Sequence, residues 1–212
     1  MLKSITYSSA ATVLFLFIAH LFFQNFLRKK RKELERNLRI DVLKINRCLS
    51  FGVEKETNKC VHKELSCDNL NCDIGKLCYI LNFVNGSKEY VDVCIYCVTA
   101  KVFAEVIIKA HRRGVRVRVI ADSSNITMPN SWIFTFLREG IPVRQKISNN
   151  LMHHKFIVID KNIVINGSMN FTLSGAFKNW ESVLVSSQPV LVEQFINGFQ
   201  SLWDSFSPVN CT

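Results

Sequence analysis

M-H-H-K-F-I-V-I-D-K-N-I-V-I-N-G-S-M-N, residues 152–170, is the stretch that decides both the fold and the chemistry. Lys155–Ile159 and Ile163–Ile165 are short apolar runs separated by D-K-N, which reads as a hairpin. Side chains alternate faces along a strand, so His153 and Lys155 project to one side together, while His154 points to the other as a packing residue. A histidine can attack phosphorus and later be released while a second group protonates the leaving oxygen. Lysine with a hydrogen-bonding Asn/Ser pair can hold the non-bridging oxygens as their charge redistributes. The hairpin returns Gly167, Ser168 and Asn170 beside the His153 strand, and Gly167 is expected to let the backbone approach a phosphate. A lone H-x-K is common, but the whole spacing H-x-K-x4-D-x6-G-S-x-N is far rarer by chance and marks a phosphodiester-cleaving site. By strand parity Asp160 faces away from His153, which gives it a supporting role at the hairpin.

Around this stretch the pattern is α/β, a mixed sheet flanked by helices. Gly75–Val84 suits a helix and Tyr90–Val98 a buried strand. Lys101–Arg113 is a helix stopped at Gly114, and Val115–Ala121 a strand with Arg116 and Arg118 alternating outward. Ser131–Arg138 is a helix closed by Gly140, followed by a short strand at Ile141–Val143. Ser182–Val185 supplies another strand and Val190–Phe206 a final amphipathic helix. Asn46–Asp73 is polar, rich in cysteine and without periodicity, so it reads as a loop-rich insertion that extends to about residue 78.

A chain of 212 residues with 48% hydrophobic content allows one sizeable domain plus an appendage. Lys and Arg number 27 against 17 Asp and Glu, a net +10 that favours polyanionic partners. Residues 28–39 hold a dense cluster of that charge: Arg28, Lys29, Lys30, Arg31, Lys32, Arg36 and Arg39 against Glu33 and Glu35. It follows an apolar run, Ala10–Leu27, near the lower limit for spanning a bilayer. No small-residue cleavage site follows the run, so residues 1–32 read as an N-terminal transmembrane anchor with its basic flank, and 33–212 as a body on the cytosolic side. Lys30–Leu43 reads as an amphipathic stalk. Glycosylation sequons at Asn166 and Asn170 would place glycans on the site itself, which again favours a cytosolic body with reduced thiols.

The words M-H-H-K-F-I-V-I-D and G-S-M-N-F-T, the stretch R-G-V-R-V-R-V-I-A-D at Arg113–Asp122 and the basic-flanked anchor resemble the phospholipase D superfamily, and within it the Zucchini-like mitochondrial endonucleases. The resemblance covers essentially the whole chain; its HKD part is specific and its cysteine-rich part less so. It implies the phospholipase D-like fold and an outer-mitochondrial-membrane location. In that superfamily a downstream acidic residue orients the catalytic histidine, and Glu181 in N-W-E-S stands at the matching place. Members pair two HKD motifs. This chain has one, and His20, His62, His111 and His154 lack the companion residues, so a symmetric homodimer is expected with its site at the interface. One His153 then forms a phosphohistidine while the partner's His153 protonates the leaving group. This route needs no metal, and the body has no acidic cluster suited to Mg²⁺.

Cys60, His62, Cys67 and Cys72 supply enough ligands for a closed structural zinc site, with Cys78 able to replace His62. The resemblance implies a zinc-binding CCCH insertion at this place. Cys94 and Cys97 read as core thiols, and Cys48 and Cys211 carry no assignment. Two substrates compete. Arg112, Arg113, Arg116, Arg118, Arg144 and Lys146 lie on segments leading towards the site and favour a single-stranded nucleic acid. The first expectation is therefore a single-strand-specific endoribonuclease that leaves 5′-phosphates, with a role in piRNA biogenesis implied by the resemblance. The second is cardiolipin hydrolysis to phosphatidate, which calls for an apolar surface beside the site.

Overall fold

The structure, a computed structural model, describes residues 19–30, 45–52, 66–146 and 148–209. The chain divides into two units, Met1–Lys44 and Ile45–Thr212. In the first, residues 19–30 form helix α1 with exposed side chains. The rest of Ala10–Leu27 and the Lys30–Leu43 stalk fall largely or wholly outside the described residues. Among the described residues no helix is long and apolar enough to cross a membrane.

The second unit is built on one eight-stranded sheet, in the order β1-β7-β6-β5-β2-β3-β4-β8. The strands are β1 (Asn46–Phe51), β2 (Tyr90–Ile95), β3 (Arg116–Asp122), β4 (Val143–Lys146), β5 (Lys155–Ile159), β6 (Ile163–Gly167), β7 (Glu181–Ser186) and β8 (Ser207–Pro208). Strands β2, β3 and β4 run parallel, and every other pair is antiparallel. The parallel pairs are joined through α3 (Lys101–Arg112) and α5 (Ile133–Arg138). Gly114 and Gly140 follow these helices at φ +91 and +82, the left-handed stop expected of both.

Period-two alternation sets two cores. Ile157 and Ile159 of β5 face one way, with Val91, Val93 and Ile95 of β2 and Val117 and Val119 of β3. They pack against α2 (Asp73–Asn85), α3, α5 and α6 (Leu173–Phe177). Phe156 and Val158 face the other way, where Phe199 and Val192 of α7 (Pro189–Ser205) cover them. Each such buried side chain contributes about 1.5–3 kcal/mol, so a one-residue slip of β5 would forfeit both cores at once.

Three expectations need correction, the first a shift: the strand expected at Ile141–Val143 runs over Val143–Lys146, pairing with β3 only from Val143 onward. The segment expected to be loop begins with a strand, because Asn46–Phe51 pairs along the whole of β7 and buries Leu49 and Phe51. Its far end, Asp73 to residue 78, is already inside α2. A half-buried strand at the sheet edge needs few apolar residues, and N-R-C-L-S-F shows only two on the inner face. Tyr90–Val98 is also shorter than expected: pairing stops at Ile95, and Tyr96 onwards turns into the site.

Candidate active site

One end of the sheet gathers the C-terminal ends of β2, β3 and β6 and the N-terminal ends of β5 and β7. Parallel strands present their functional groups at this end. His153 lies in the extended segment entering β5, exposed, with its ring against Tyr96 (centroids 4.6 Å apart, 59° between planes). Lys155 opens β5 and is buried at 7% exposure. Its ammonium donates to the carbonyl of His153 at 2.6 Å and lies 5.0 Å from the Tyr96 ring centre. His153 and Lys155 thus share one side, joined by Tyr96. His154 stands on the other side edge-on to Phe156, but it is exposed rather than packed.

Burial holds the Lys155 amine below the ordinary lysine range, and the negative charge of Glu181 opposes that shift. Glu181 is therefore an electrostatic neighbour of the lysine. Its oxygens accept from neighbours on the same floor: Asn179 donates to Oε1 at 3.0 Å and the Ser168 hydroxyl donates to Oε2. Ser168 is equally committed, since its Oγ also accepts the Ser182 amide at 3.1 Å. These contacts tie the end of β6 to the start of β7, so Ser168 and Glu181 brace the floor of the site. Gly167 does the same. A Cβ there would stand 2.1 Å from the Ser182 carbonyl oxygen, so it is the neighbouring strand, not a phosphate, that requires glycine.

Asn170 differs from its neighbours. Its Oδ1 is shut off from solvent and has no hydrogen-bond partner, the one such side-chain atom among the described residues. An orphaned buried polar atom costs about 1–3 kcal/mol. A bound group that the carboxamide engages, with either end turned towards it, would offset that cost. Asp160 lies at the other end of β5, about 17 Å from Lys155 at about 3.3 Å per residue. Its carboxylate accepts the backbone amides of Lys88, Glu89 and Tyr90 at 2.9–3.2 Å. It holds the hairpin, in which Asp160 and Lys161 both take left-handed φ (49 and 56), and cannot touch a substrate at His153.

A family profile described as "Cardiolipin synthase, PLD-like domain" matches residues 80–203. The chain belongs to this phospholipase D-like family. It is similar to the mitochondrial cardiolipin hydrolase of Chlamydomonas reinhardtii, 34% identical over 144 residues that cover 66% of this chain and 65% of that protein. The protein of the same name from Homo sapiens is 31% identical over 133 residues, 63% of this chain and 53% of that one. The chain thus spans less than two thirds of the length of these curated relatives. Among solved structures it is similar to Nuc, a phospholipase D family member from Salmonella typhimurium (28% identity, TM-score 0.57, 63% of this chain and 90% of that one). NucT from Helicobacter pylori shares the fold at 20% identity, with a TM-score of 0.63 and coverage of 77% and 99%.

The basic surface is not what the phospholipase D-like sequence suggested. Arg118 is half-buried, donating from Nε and Nη2 to the buried carboxylate of Asp92 at 2.8 Å and packed against the Tyr90, Phe199 and Trp203 rings. Arg144 binds the Trp203 carbonyl and ring, Arg113 reaches the Val84 and Ser87 carbonyls, and Arg112 pairs with Glu139. Arg116 lies over Tyr90. Of the six expected groove cations, Lys146 alone has no such engagement among the described residues. Composition counted these charges correctly but could not show that strand and helix ends would use them. Tyr96 and Asp122 are residues that sequence reasoning missed; the usable signal was a polar side chain ending an apolar parallel strand (V-C-I-Y, V-I-A-D), where such sheets place their sites.

The cysteines divide. Cys67 and Cys72 bring their Sγ atoms to 3.5 Å, close to the roughly 3.8 Å that two thiolates at about 2.3 Å from one tetrahedral zinc would show. Each sulfur also accepts a backbone amide, from Asn69 and Gly75 respectively. Cys60 and His62 lie outside the described residues. Cys78 sits on the buried face of α2, and among the described residues Cys67, Cys72 and Cys78 form no three-ligand group. Burial pushes the thiols of Cys94 and Cys97 up, as inert core groups require.

Proposed function

We propose that the chain is a phosphodiesterase that hydrolyses cardiolipin to phosphatidate, working as a homodimer at a mitochondrial membrane. One observation carries this choice. Leu151, Leu173, Phe177 and Trp180 are exposed apolar side chains on the segments that carry His153, Asn170 and Glu181, and Trp180 is 72% exposed. Exposed apolar side chains on the segments around a site offer a surface to an apolar substrate, and a lipid diester needs one near the reacting phosphorus. The names of the curated relatives support the same substrate.

In this reading His153 attacks the phosphorus and forms a P–N bond as the P–O bond to the leaving glycerol oxygen breaks. The partner's His153, as imidazolium, gives that oxygen its proton. Water then attacks the phosphohistidine, losing a proton to the now neutral imidazole, and phosphatidate leaves with His153 restored. Lys155 and Asn170 hold the non-bridging oxygens, and Ser168 with Glu181 keeps Asn170's loop in register. A structural zinc held by Cys67 and Cys72, together with Cys60 and His62, would pin the segment before α2; no step passes through it.

A second reading, cleavage of single-stranded RNA to 5′-phosphate ends in piRNA biogenesis, rests on a different feature. A groove of about 560 Å³ beside the catalytic loop is lined by Lys101, Ser131, Trp132, Thr135, Thr172 and Leu173, the last of these also among the exposed apolar side chains above. Its cation, hydroxyls and indole suit a nucleotide better than an acyl chain. Purified protein without residues 1–32, assayed on cardiolipin vesicles and on single-stranded RNA with His153→Asn as control, decides between them. Release of phosphatidate without RNA cleavage is expected; cleavage of RNA alone reverses the order.

A further inference from the structure

The backbone around His153 lies outside the strand ladder, so something else must hold it. β5 pairs with β2 only from Lys155 onward. Beyond that point the Tyr96 amide donates to the His154 carbonyl at 3.0 Å, and the Lys155 ammonium donates to the His153 carbonyl. Both contacts fix the chain on the C-terminal side of the imidazole. On the N-terminal side the contact comes from β3, which is not β5's neighbour. Asp122, the last residue of β3, reaches past the end of β2, and its Oδ2 accepts the Met152 amide at 2.7 Å.

Asp122 is an unusual group to find there. It is 3% exposed, and no cation among the described residues pairs with it. A carboxylate in such a place is costly unless hydrogen bonds offset its lost hydration. Its other oxygen accepts the Ser124 amide at 3.0 Å and the Ser124 hydroxyl, which caps the short helix α4 (Ser123–Ile126). Ser124 alone could have been served by the end of any loop. The bond to Met152 is the long-range one, thirty residues away in sequence, and it lands on the residue directly before the nucleophile. Charge-assisted bonds of this kind are roughly twice as strong as neutral ones. Met152 itself is buried with its sulfur 3.4 Å from Cys94, so the amide that Asp122 holds belongs to a side chain already anchored in the core.

We propose that Asp122 is a positioning residue for the phosphodiester-cleaving site: it sets the place of His153 through the Met152 backbone. The inference rests on the reading of His153 as the nucleophile. Without the tether the imidazole is held from one side only, and a displacement of about 1 Å in a reacting group can cost about a hundredfold in rate.

The test compares Asp122→Ala, Asp122→Asn and Ser124→Ala in the full chain, with bis(p-nitrophenyl) phosphate as a soluble diester and amide hydrogen exchange as a second readout. Asp122→Ala is expected to lower kcat about tenfold to a hundredfold with KM within about twofold. It should speed exchange at the Met152 amide while β2, β3 and β5 stay protected. Asp122→Asn keeps one acceptor oxygen and should recover part of kcat, and Ser124→Ala, which leaves the Met152 bond intact, should stay near wild type. Wild-type kcat in Asp122→Ala overturns the proposal. So does a loss of kcat that comes with lost protection across all three strands, or one that Ser124→Ala reproduces. If the wild-type chain cleaves no diester, the phosphodiesterase reading falls, and exchange at Met152 still decides whether the tether exists.

Discussion

His153 and Lys155 make different demands on the fold, and their substitutions should separate. His153 is exposed, so His153→Asn should leave the melting temperature near wild type while removing nucleophile and proton donor together. Turnover on any diester should drop below detection, and activity surviving in that variant would remove His153 from the mechanism. Lys155 is buried and its amine is held below the ordinary range, chiefly by loss of hydration. A lysine whose folded pKa is lowered costs stability below that pKa, and the cost fades as pH rises through it towards the unfolded value. Lys155→Met should therefore melt higher than wild type at neutral pH while losing about a hundredfold or more in kcat, because the phosphate loses its fixed positive charge. Glu181 opposes the shift, so Glu181→Gln should drive the amine lower still. The alkaline limb of the kcat/KM profile should then move to lower pH. A limb that stays put would mean that the ammonium of Lys155 is not the group being titrated.

At the scale of the element, the motif's three letters part company. Asp160 closes the β5–β6 hairpin by receiving three backbone amides, at the opposite end of the strand from the chemistry. Asp160→Ala should cost about 3 kcal/mol, since hydrogen bonds to a charged group contribute about 1.5–3 kcal/mol each and are not additive. The folded fraction should keep its kcat. A fall in total activity that tracks the folded fraction would fit, whereas loss of kcat at full stability would put Asp160 in the site after all. Gly167→Ala makes the complementary demand. Its Cβ would meet Ser182 O at 2.1 Å and Val183 Cα at 2.9 Å, both backbone atoms that cannot turn away. β6 and β7 must part, so thermal unfolding should show a loss of about 1–3 kcal/mol, with kcat falling as the Ser168–Glu181 brace loosens. These elements also show what was legible in the sequence. β5, α3 and α7 were readable to within a residue because apolar periodicity alone decides them. Strand β1 was not, since its partners on β7 are 130–140 residues away and only two of its six residues are buried. The mutual contacts of Gly167, Ser168 and Glu181 were not legible for a related reason: spacing shows that residues share a sheet end, not which neighbour takes their hydrogen bonds.

For the molecule as a whole, net charge and local surface point to different substrates. The net +10 suggested a nucleic-acid groove, yet Arg112, Arg113, Arg118 and Arg144 are held in ion pairs, carbonyl bonds and ring contacts of the body itself. Phosphate contacts set the salt dependence of nucleic-acid binding, so cations already engaged contribute little to it. The exposed Leu151, Leu173, Phe177 and Trp180 instead offer an apolar margin to the site. A substrate that lies in a bilayer should depend on that margin, and a soluble diester reacting at the same His153 should not. Trp180→Ser is the sharpest probe, since the indole is 72% exposed and its loss opens no cavity. On vesicles containing cardiolipin the variant should lose about tenfold in kcat/KM, while its kcat on bis(p-nitrophenyl) phosphate and its oligomeric state by sedimentation stay unchanged. The size follows from the indole's area: about 50–60 Å² of it leaving water at the bilayer, at about 25 cal/mol per Å², is worth the roughly 1.4 kcal/mol that a tenfold change represents. If both substrates suffer alike, Trp180 supports the site rather than the bilayer contact. If the variant sediments as a smaller species than wild type, the apolar margin belongs to a second copy. If cardiolipin turnover is untouched while single-stranded RNA is cut with a steep salt dependence, the groove at Lys101 and Trp132 is the substrate path and the lipid reading fails.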